Sequence, residues 1–220
     1  LWDSQEAIPE SYDYYIPMLS LPMFVTVALP GNPYLSCTPS SFKLPIQPVS
    51  KIPRIAIHWQ GDSRYSLDRY RSVSLETLLP LFRISGIEWV SIQKGIASMA
   101  IESLPDFVAL SEVGSWLDTG EAGFVDTASL LQDCDLLITT DTAVAHLAGA
   151  MGVAVWVVLS AVPDWRWGES ERGYEWYRSM RLYRQEYLGD WVSLINRMAE
   201  DLLILKSDFS ACALANMESS

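Results

Sequence analysis

The sequence predicts a doubly wound α/β domain, a parallel sheet covered by helices on both faces. Short apolar runs of strand character, such as "RIAIHW", "LLITT" and "VAVWVVL", alternate with stretches of helical spacing, which is the pattern of such a sheet. The chain has 220 residues and half of them are apolar, enough for one well-buried core. No internal repeat competes with this reading.

The elements follow in order. Prolines at 9, 17, 22, 30, 33, 39, 45 and 48 make residues 1–50 an irregular N-terminal segment, the connecting strip and remnant of a preceding domain. From Arg54, "RIAIHW" reads as the first strand and "QGDSRYSLDRYRS" as its loop. "VSLETLLPLFRIS" reads as a helix, because Leu75, Leu78, Leu79 and Phe82 share one face. "IEWVSIQKG" is the second strand, and a looser region leads through "DFVAL" to a short helix in "DTASLLQDCD". The strand "LLITT", the helix "TAVAHLAGAM", the strand "VAVWVVL" and the aromatic loop "PDWRWG" come next. A strand "MRLYRQ" and an amphipathic helix "DWVSLINRMAEDLLIL" close the domain, placed at 51–206, and 207–220 reads as a flexible tail.

Composition narrows the function classes. A formal net charge of -12 argues against nonspecific affinity for nucleic acid or anionic membranes, which relies on a positive surface. It leaves room for a small phosphate ligand, since charge is screened over about 8 to 10 Å at ordinary salt. Cys37, Cys134 and Cys212 are far apart, with no CxxC pair, so neither a disulfide framework nor a zinc site is expected. No apolar run reaches the ~18 residues that cross a bilayer, and no secretory leader pattern opens the chain. A cytoplasmic protein without a transmembrane segment is expected. The chain opens without Met, in the middle of a Tyr- and Pro-rich stretch, and reads as part of a longer protein.

In open α/β sheets, ligands lie beyond the carboxyl ends of the strands. That rule selects four loops: Gly61 with Arg64, Arg69 and Arg71; Gln93, Lys94 and Gly95; Thr140 to Ala143; and Pro163 to Trp167. A helix starting near Thr142 exposes unpaired N–H groups and a positive dipole end, which suits an anion. Alternatively, Asp141 simply caps a buried helix. His146 shares a face with Thr142 and either meets a ligand or bonds a neighbouring carbonyl. The three arginines suit a diphosphate, unless Asp62 and Asp68 absorb their charge. Lys94 stands at a strand end, where a surface lysine would look the same. Trp165 and Trp167 either stack on a ligand or plug the core. There is no GxGxxG after a strand and no GxSxG elbow.

Taken together, "IHWQG", "RSVSL", "WVSIQKG", "FVDTASLLQDCDLLITTDTAVAHLAGAMGVAVWVVL", "PDWRWG", "WYRSMRLYRQ" and "GDW" resemble the C-terminal half of GT-B glycosyltransferases of the heptosyltransferase-like group. The bacterial forms fused behind tetratricopeptide repeats are the most similar, and O-linked N-acetylglucosamine transferases are similar too. The resemblance implies a Rossmann-like domain holding a nucleotide-sugar donor, with inverting transfer to a hydroxyl of a protein, polysaccharide or lipid acceptor and no metal or other cofactor. It implies that Asp141 contacts donor-sugar hydroxyls, that Thr142 and the amides of Ala143 and Val144 face phosphate, and that His146 supports the turn. Arg71 would neutralise the diphosphate, while Trp59, Gly61, Gln93 and Lys94 would line the nucleotide pocket.

The general base is then expected in the N-terminal domain. The family often has His where this chain has Tyr15, and a phenol with pKa near ~10 is a poor base at neutral pH. "DCD" at Asp133 and Asp135 imitates the metal-binding DxD of another glycosyltransferase class, but it falls on the amino edge of the sheet, away from the ligand crevice. A non-catalytic nucleotide-sugar-binding or interaction module is the alternative. A sugar-nucleotide epimerase is disfavoured, because no paired acid and base stands out.

Overall fold

The computed structural model describes residues 31–37, 52–120, 123–169 and 176–218; Tyr15 and most of the N-terminal segment lie outside them. The chain divides after Pro30, and Gly31–Ser220 forms one compact unit.

Six strands build a single sheet: β1 (Arg54–His58), β2 (Glu88–Ser91), β3 (Leu110–Glu112), β4 (Leu136–Thr140), β5 (Val155–Leu159) and β6 (Met180–Arg184). All pairings are parallel, in the order β3-β2-β1-β4-β5-β6. That is the Rossmann-like order, which reverses direction between β1 and β4 and opens a crevice there. The helices are α1 (Asp68–Arg71), α2 (Leu79–Phe82), α3 (Val125–Gln132), α4 (Ala143–Met151) and α5 (Trp191–Glu218).

Strand alternation sends side chains into two separate cores. Ile55, Ile57, Trp89, Leu136, Ile138 and Val158 pack with Leu78 and Leu81 and with Ile195 and Met198 of α5. Ala56, Val90, Leu137, Val155 and Val157 pack with Leu130 and Leu131 of α3 and Ala145 and Ala148 of α4. Both faces are therefore dry, which is why the central strands read as unbroken apolar runs.

Three features differ from the sequence reading. The region before "DFVAL" leads into β3, a three-residue edge strand of half-buried residues that carries too little apolar pattern to be seen in sequence. The single helix expected over "VSLETLLPLF" is a 3-10 turn, Leu75–Leu78, followed by α2, with Pro80 in its first turn. The residues expected as a flexible tail instead continue α5 to Glu218. No Gly or Pro interrupts residues 190–220, so nothing local stops the helix where the apolar stripe ends.

Residues 31–37, read from the proline distribution as part of the connecting strip, belong to the compact unit. The backbone N–H groups of Tyr34 and Leu35 donate to the Ala150 carbonyl at 2.8 and 3.0 Å. Pro33 packs on the turn at Gly152, whose φ of +78° ends α4 in the left-handed conformation open to glycine. At the amino edge, the Asp135 carboxylate accepts from the Arg54 N–H at 2.8 Å. The "DCD" stretch thus sits at the start of β4, across the sheet from the crevice.

Close approach at the other edge gives a stability prediction. A Cβ on Gly114 would lie 2.1 Å from the Gln93 carbonyl oxygen, whereas one on Gly120 meets nothing within 4 Å. Gly114→Ala is expected to lower unfolding free energy by about 1–3 kcal/mol, and Gly120→Ala to stay within about 0.5 kcal/mol. Urea denaturation of both variants checks this.

Candidate functional site

The crevice between β1 and β4 is an open cleft of about 1340 Å3. It is lined by the loop after β1, the loop after β2, a rim of Asp118, Gly123, Phe124 and Thr127, and the start of α4. Trp59, Gly61, Arg71, Gln93, Lys94, Thr142, Ala143 and Val144 all border it, whereas Asp141 and His146 do not.

Gln93 locks the two central loops together. Its side-chain oxygen accepts from the backbone N–H groups of Trp59 and Gln60 at 3.0 and 2.9 Å. Its amide nitrogen donates to the carbonyls of Gln60 and Lys94 at 3.0 and 3.2 Å. The amide is therefore occupied by the protein itself, and Gln93 shapes the cleft wall. Trp59 is buried in the core. Gly61 leaves the space into which Arg71 and Asp68 fold, since an added Cβ would lie 2.4 Å from the guanidinium.

The three loop arginines separate into different roles. Arg64 is exposed and chelated by Asp62, which holds the Asp62 carboxyl down at about 2 through hydrogen bonding from Arg64. Arg69 turns to the Tyr70 hydroxyl. Arg71 alone of the three reaches across the crevice: its Nε donates to Asp68 at 3.1 Å and its Nη1 to the Asp141 carbonyl oxygen at 3.0 Å. The Tyr65 ring backs the guanidinium at 4.7 Å.

At the start of α4, Thr142 and not Asp141 is the N-cap residue, and its side chain makes no capping bond. The Thr142 hydroxyl instead lies 3.3 Å from the Thr140 carbonyl and 3.3 Å from the Thr139 hydroxyl. Among the described residues, no side chain caps the first amides of this helix, and the positive end of its dipole faces the cleft. With Arg71 alongside, this corner is suited to an anion.

Asp141 turns toward the aromatic loop. Burial raises its carboxyl above the usual range, against the opposing influence of the Trp167 indole, His146 and Arg71. Trp167 is buried, and its Nε1 completes no hydrogen bond of full geometry. His146 stacks on Trp167 with centroids 4.9 Å apart, and its Nδ1 lies 3.3 Å from the Tyr177 hydroxyl. Burial lowers the His146 pKa, so the ring is neutral at pH 7. Trp165, by contrast, is 54% exposed beneath Arg166. One tryptophan plugs the core, and the other stands in solvent. Among the described residues, Thr140 Oγ1 and Gln185 Nε2 are buried without a hydrogen-bond partner, and neither residue borders the cleft.

The Lys94 ammonium, expected at the nucleotide pocket, donates to the Leu117 carbonyl and to Asp118 at 2.8 and 3.0 Å. Asp118 also accepts from the N–H groups of Asp126 and Thr127 and from the Thr127 hydroxyl. Burial would raise its carboxyl, but these bonds and Lys94 outweigh that and lower it. The cleft rim thus hangs on a residue that sequence reasoning missed. Its only sequence signal was its position eight residues before the helix-opening Asp126.

His58, also missed as a site residue, ends β1 and lines the cleft. Its Nδ1 lies 3.3 Å from the Thr139 hydroxyl. Burial, with help from Arg71 and against Asp68, lowers its pKa from 6.5 to about 4. Among the described residues, no group of three or more His, Cys, Asp or Glu could hold a metal ion, and no helix is long and apolar enough to cross a membrane.

No family model matches the sequence. Protein FlbA of Caulobacter vibrioides is 27% identical over an alignment of 176 positions that covers 77% of this chain and 28% of FlbA. The chain therefore spans little more than a quarter of that relative's length. Among solved structures, E. coli ADP-heptose LPS heptosyltransferase II matches with a TM-score of 0.50 at 15% identity, over 72% of this chain and 48% of that one. E. coli heptosyltransferase WaaC with ADP-2-deoxy-2-fluoro heptose gives a TM-score of 0.47 at 12% identity, over 69% and 44%. The match to heptosyltransferase II places the fold: the parallel Rossmann-like sheet is one that a heptosyltransferase shares.

Two stability measurements follow from this geometry. Asp118→Ala removes a carboxylate with four donors and is expected to cost about 2 kcal/mol or more, whereas Lys94→Met, at a half-exposed pair, costs under about 1 kcal/mol; urea midpoints compare them. For His58, the unfolded chain binds more protons than the folded one between pH 6.5 and 4. Stability is therefore full above that window and is lost as pH falls through it, by about 3 kcal/mol. His58→Asn should remove that part of the acid sensitivity in denaturation curves recorded from pH 7 to 4.

Proposed function

We propose that the chain is the donor-binding domain of an inverting, heptosyltransferase-like glycosyltransferase, holding a nucleotide-diphosphate sugar at the β1–β4 crevice. The observation that carries this reading is the meeting of an uncapped α4 N-terminus with Arg71 on one wall of the cleft. The diphosphate lies against the amides of Ala143 and Val144, the Thr142 hydroxyl and the Arg71 guanidinium. The nucleoside extends along the wall made by Trp59, Gly61, Gln93 and Lys94, and the sugar reaches toward Asp141, with His146 behind the turn.

In the reaction, an acceptor hydroxyl attacks the anomeric carbon as the bond to the diphosphate oxygen breaks. The growing negative charge on the leaving group is stabilised by helix amides and Arg71 in place of a metal ion. The acceptor's proton passes to a base outside this unit. Among the described residues, the carboxylates that line the cleft, Asp62 and Asp118, are held in ion pairs, so neither is a free base. The acceptor is a protein, polysaccharide or lipid hydroxyl, and the domain works in the cytoplasm behind tetratricopeptide repeats.

The same pairing of Asp62 and Asp118 favours a second reading, a nucleotide-sugar-binding module that transfers nothing. Calorimetric titration with UDP- and ADP-sugars separates the possibilities. Binding is expected, with Arg71→Ala weakening it about tenfold or more. No binding to any sugar nucleotide would overturn both readings. In a longer version carrying the upstream domain, transfer that falls about tenfold or more in Asp141→Ala supports the enzyme, and binding without transfer supports the module.

A further inference from the structure

His58 stands at the end of the strand that forms one wall of the crevice. Parallel register sets it directly opposite Thr139 of β4. A chain of close polar contacts starts there: His58 Nδ1 is 3.3 Å from Thr139 Oγ1, which is 3.3 Å from Thr142 Oγ1. Thr142 is the N-cap of α4, and both His58 and Thr142 border the cleft. Thr139 and Thr142 are buried, so water does not compete freely for this row.

The charged groups acting on the ring are Arg71 and Asp68, both from α1. β4 and the start of α4 present hydroxyls, and the β2 loop presents the Gln93 amide, already bonded to Trp59 and Gln60. Asp141, on the turn after β4, is coupled to His146, Asp164 and Arg71. Without ligand, burial and Arg71 keep the imidazole neutral. A diphosphate at the α4 N-terminus brings negative charge to the same corner and offsets Arg71, which favours the imidazolium.

We infer that His58 is a positioning residue of the anion site: it orients the Thr139–Thr142 hydroxyl row and gains affinity for a proton when a diphosphate group binds at the start of α4. This rests on the donor-site reading above. By linkage, ligand then raises the affinity of His58 for a proton, and the proton raises the affinity for ligand by the same factor.

The test uses the full chain and two probes, UDP-glucose and ADP-glucose, between pH 5 and 7.5, where their diphosphate diesters keep a constant charge. The chain has two histidines, so the NMR signals of the rings are assigned with a His146→Asn variant. The expected result is a His58 titration that moves up by about one pH unit or more with ligand, and binding about twofold or more tighter at pH 5 than at pH 7. Thr139→Val, which removes the linking hydroxyl but keeps the side-chain shape, should flatten that pH dependence, as should His58→Asn. A wild-type His58 titration unmoved by a bound sugar nucleotide, or a pH dependence that persists in both variants, would overturn the inference while leaving the donor site standing. Absence of binding at every pH would remove the donor site itself, and this inference with it.

Discussion

The contact on which the site depends is the Arg71 guanidinium reaching the Asp141 carbonyl oxygen, 70 residues away in sequence. A parallel sheet that reverses direction between β1 and β4 leaves a gap between the loops that follow them. Arg71 spans this gap, and Gln93 ties the loop after β1 to the loop after β2. Two constraints make that span possible. Gly61 leaves room for the guanidinium, and Asp68 holds its Nε from behind. The bond orders the turn just before α4, so the helix N-terminus and a fixed cation are presented together.

This arrangement reconciles an acidic chain with a site for an anion. The net charge is -12, yet over a screening length of about 8 Å what matters is the local set of groups. In the cleft that set is Arg71, Arg64, Lys94 and the α4 amides, against Asp62 and Asp118. All three cations are paired with neighbouring carboxylates: Arg64 with Asp62, Lys94 with Asp118, and Arg71, through its Nε, with Asp68. What distinguishes Arg71 is that its Nη1 also reaches the turn before α4, so a partly compensated guanidinium and a helix end lie together, a pair suited to an anion. His58 borders the same cleft, held neutral by burial and by Arg71.

Much of the architecture was legible in the sequence because burial on both faces leaves a strong signal. "LLITT" and "VAVWVVL" could be little else than central strands, and "TAVAHLAGAM" read as the helix between them. Where burial is partial the signal fades: β3 has three half-buried residues, and the end of α5 has no apolar stripe to mark it. At the site, strand-end logic located the loops but could not assign individual side chains. Arg64, Arg69 and Arg71 look alike in sequence, and only packing against Gly61 and Tyr65 distinguishes the one that turns inward. Asp141 looked like a cap, but the cap position belongs to Thr142. Asp118 and His58 gave almost no sequence signal, because their roles come from partners brought together by the fold.

The most direct measurement is amide chemical-shift mapping of the chain with a saturating sugar nucleotide, UDP-glucose or ADP-glucose. The account predicts that the largest changes fall on Ala143 and Val144, with further changes at Gln60, Gly61 and the Arg71 side chain, and none at Asp133 to Asp135 on the opposite edge. Changes centred on that amino edge, or an undisturbed α4 N-terminus in a saturated complex, would contradict it.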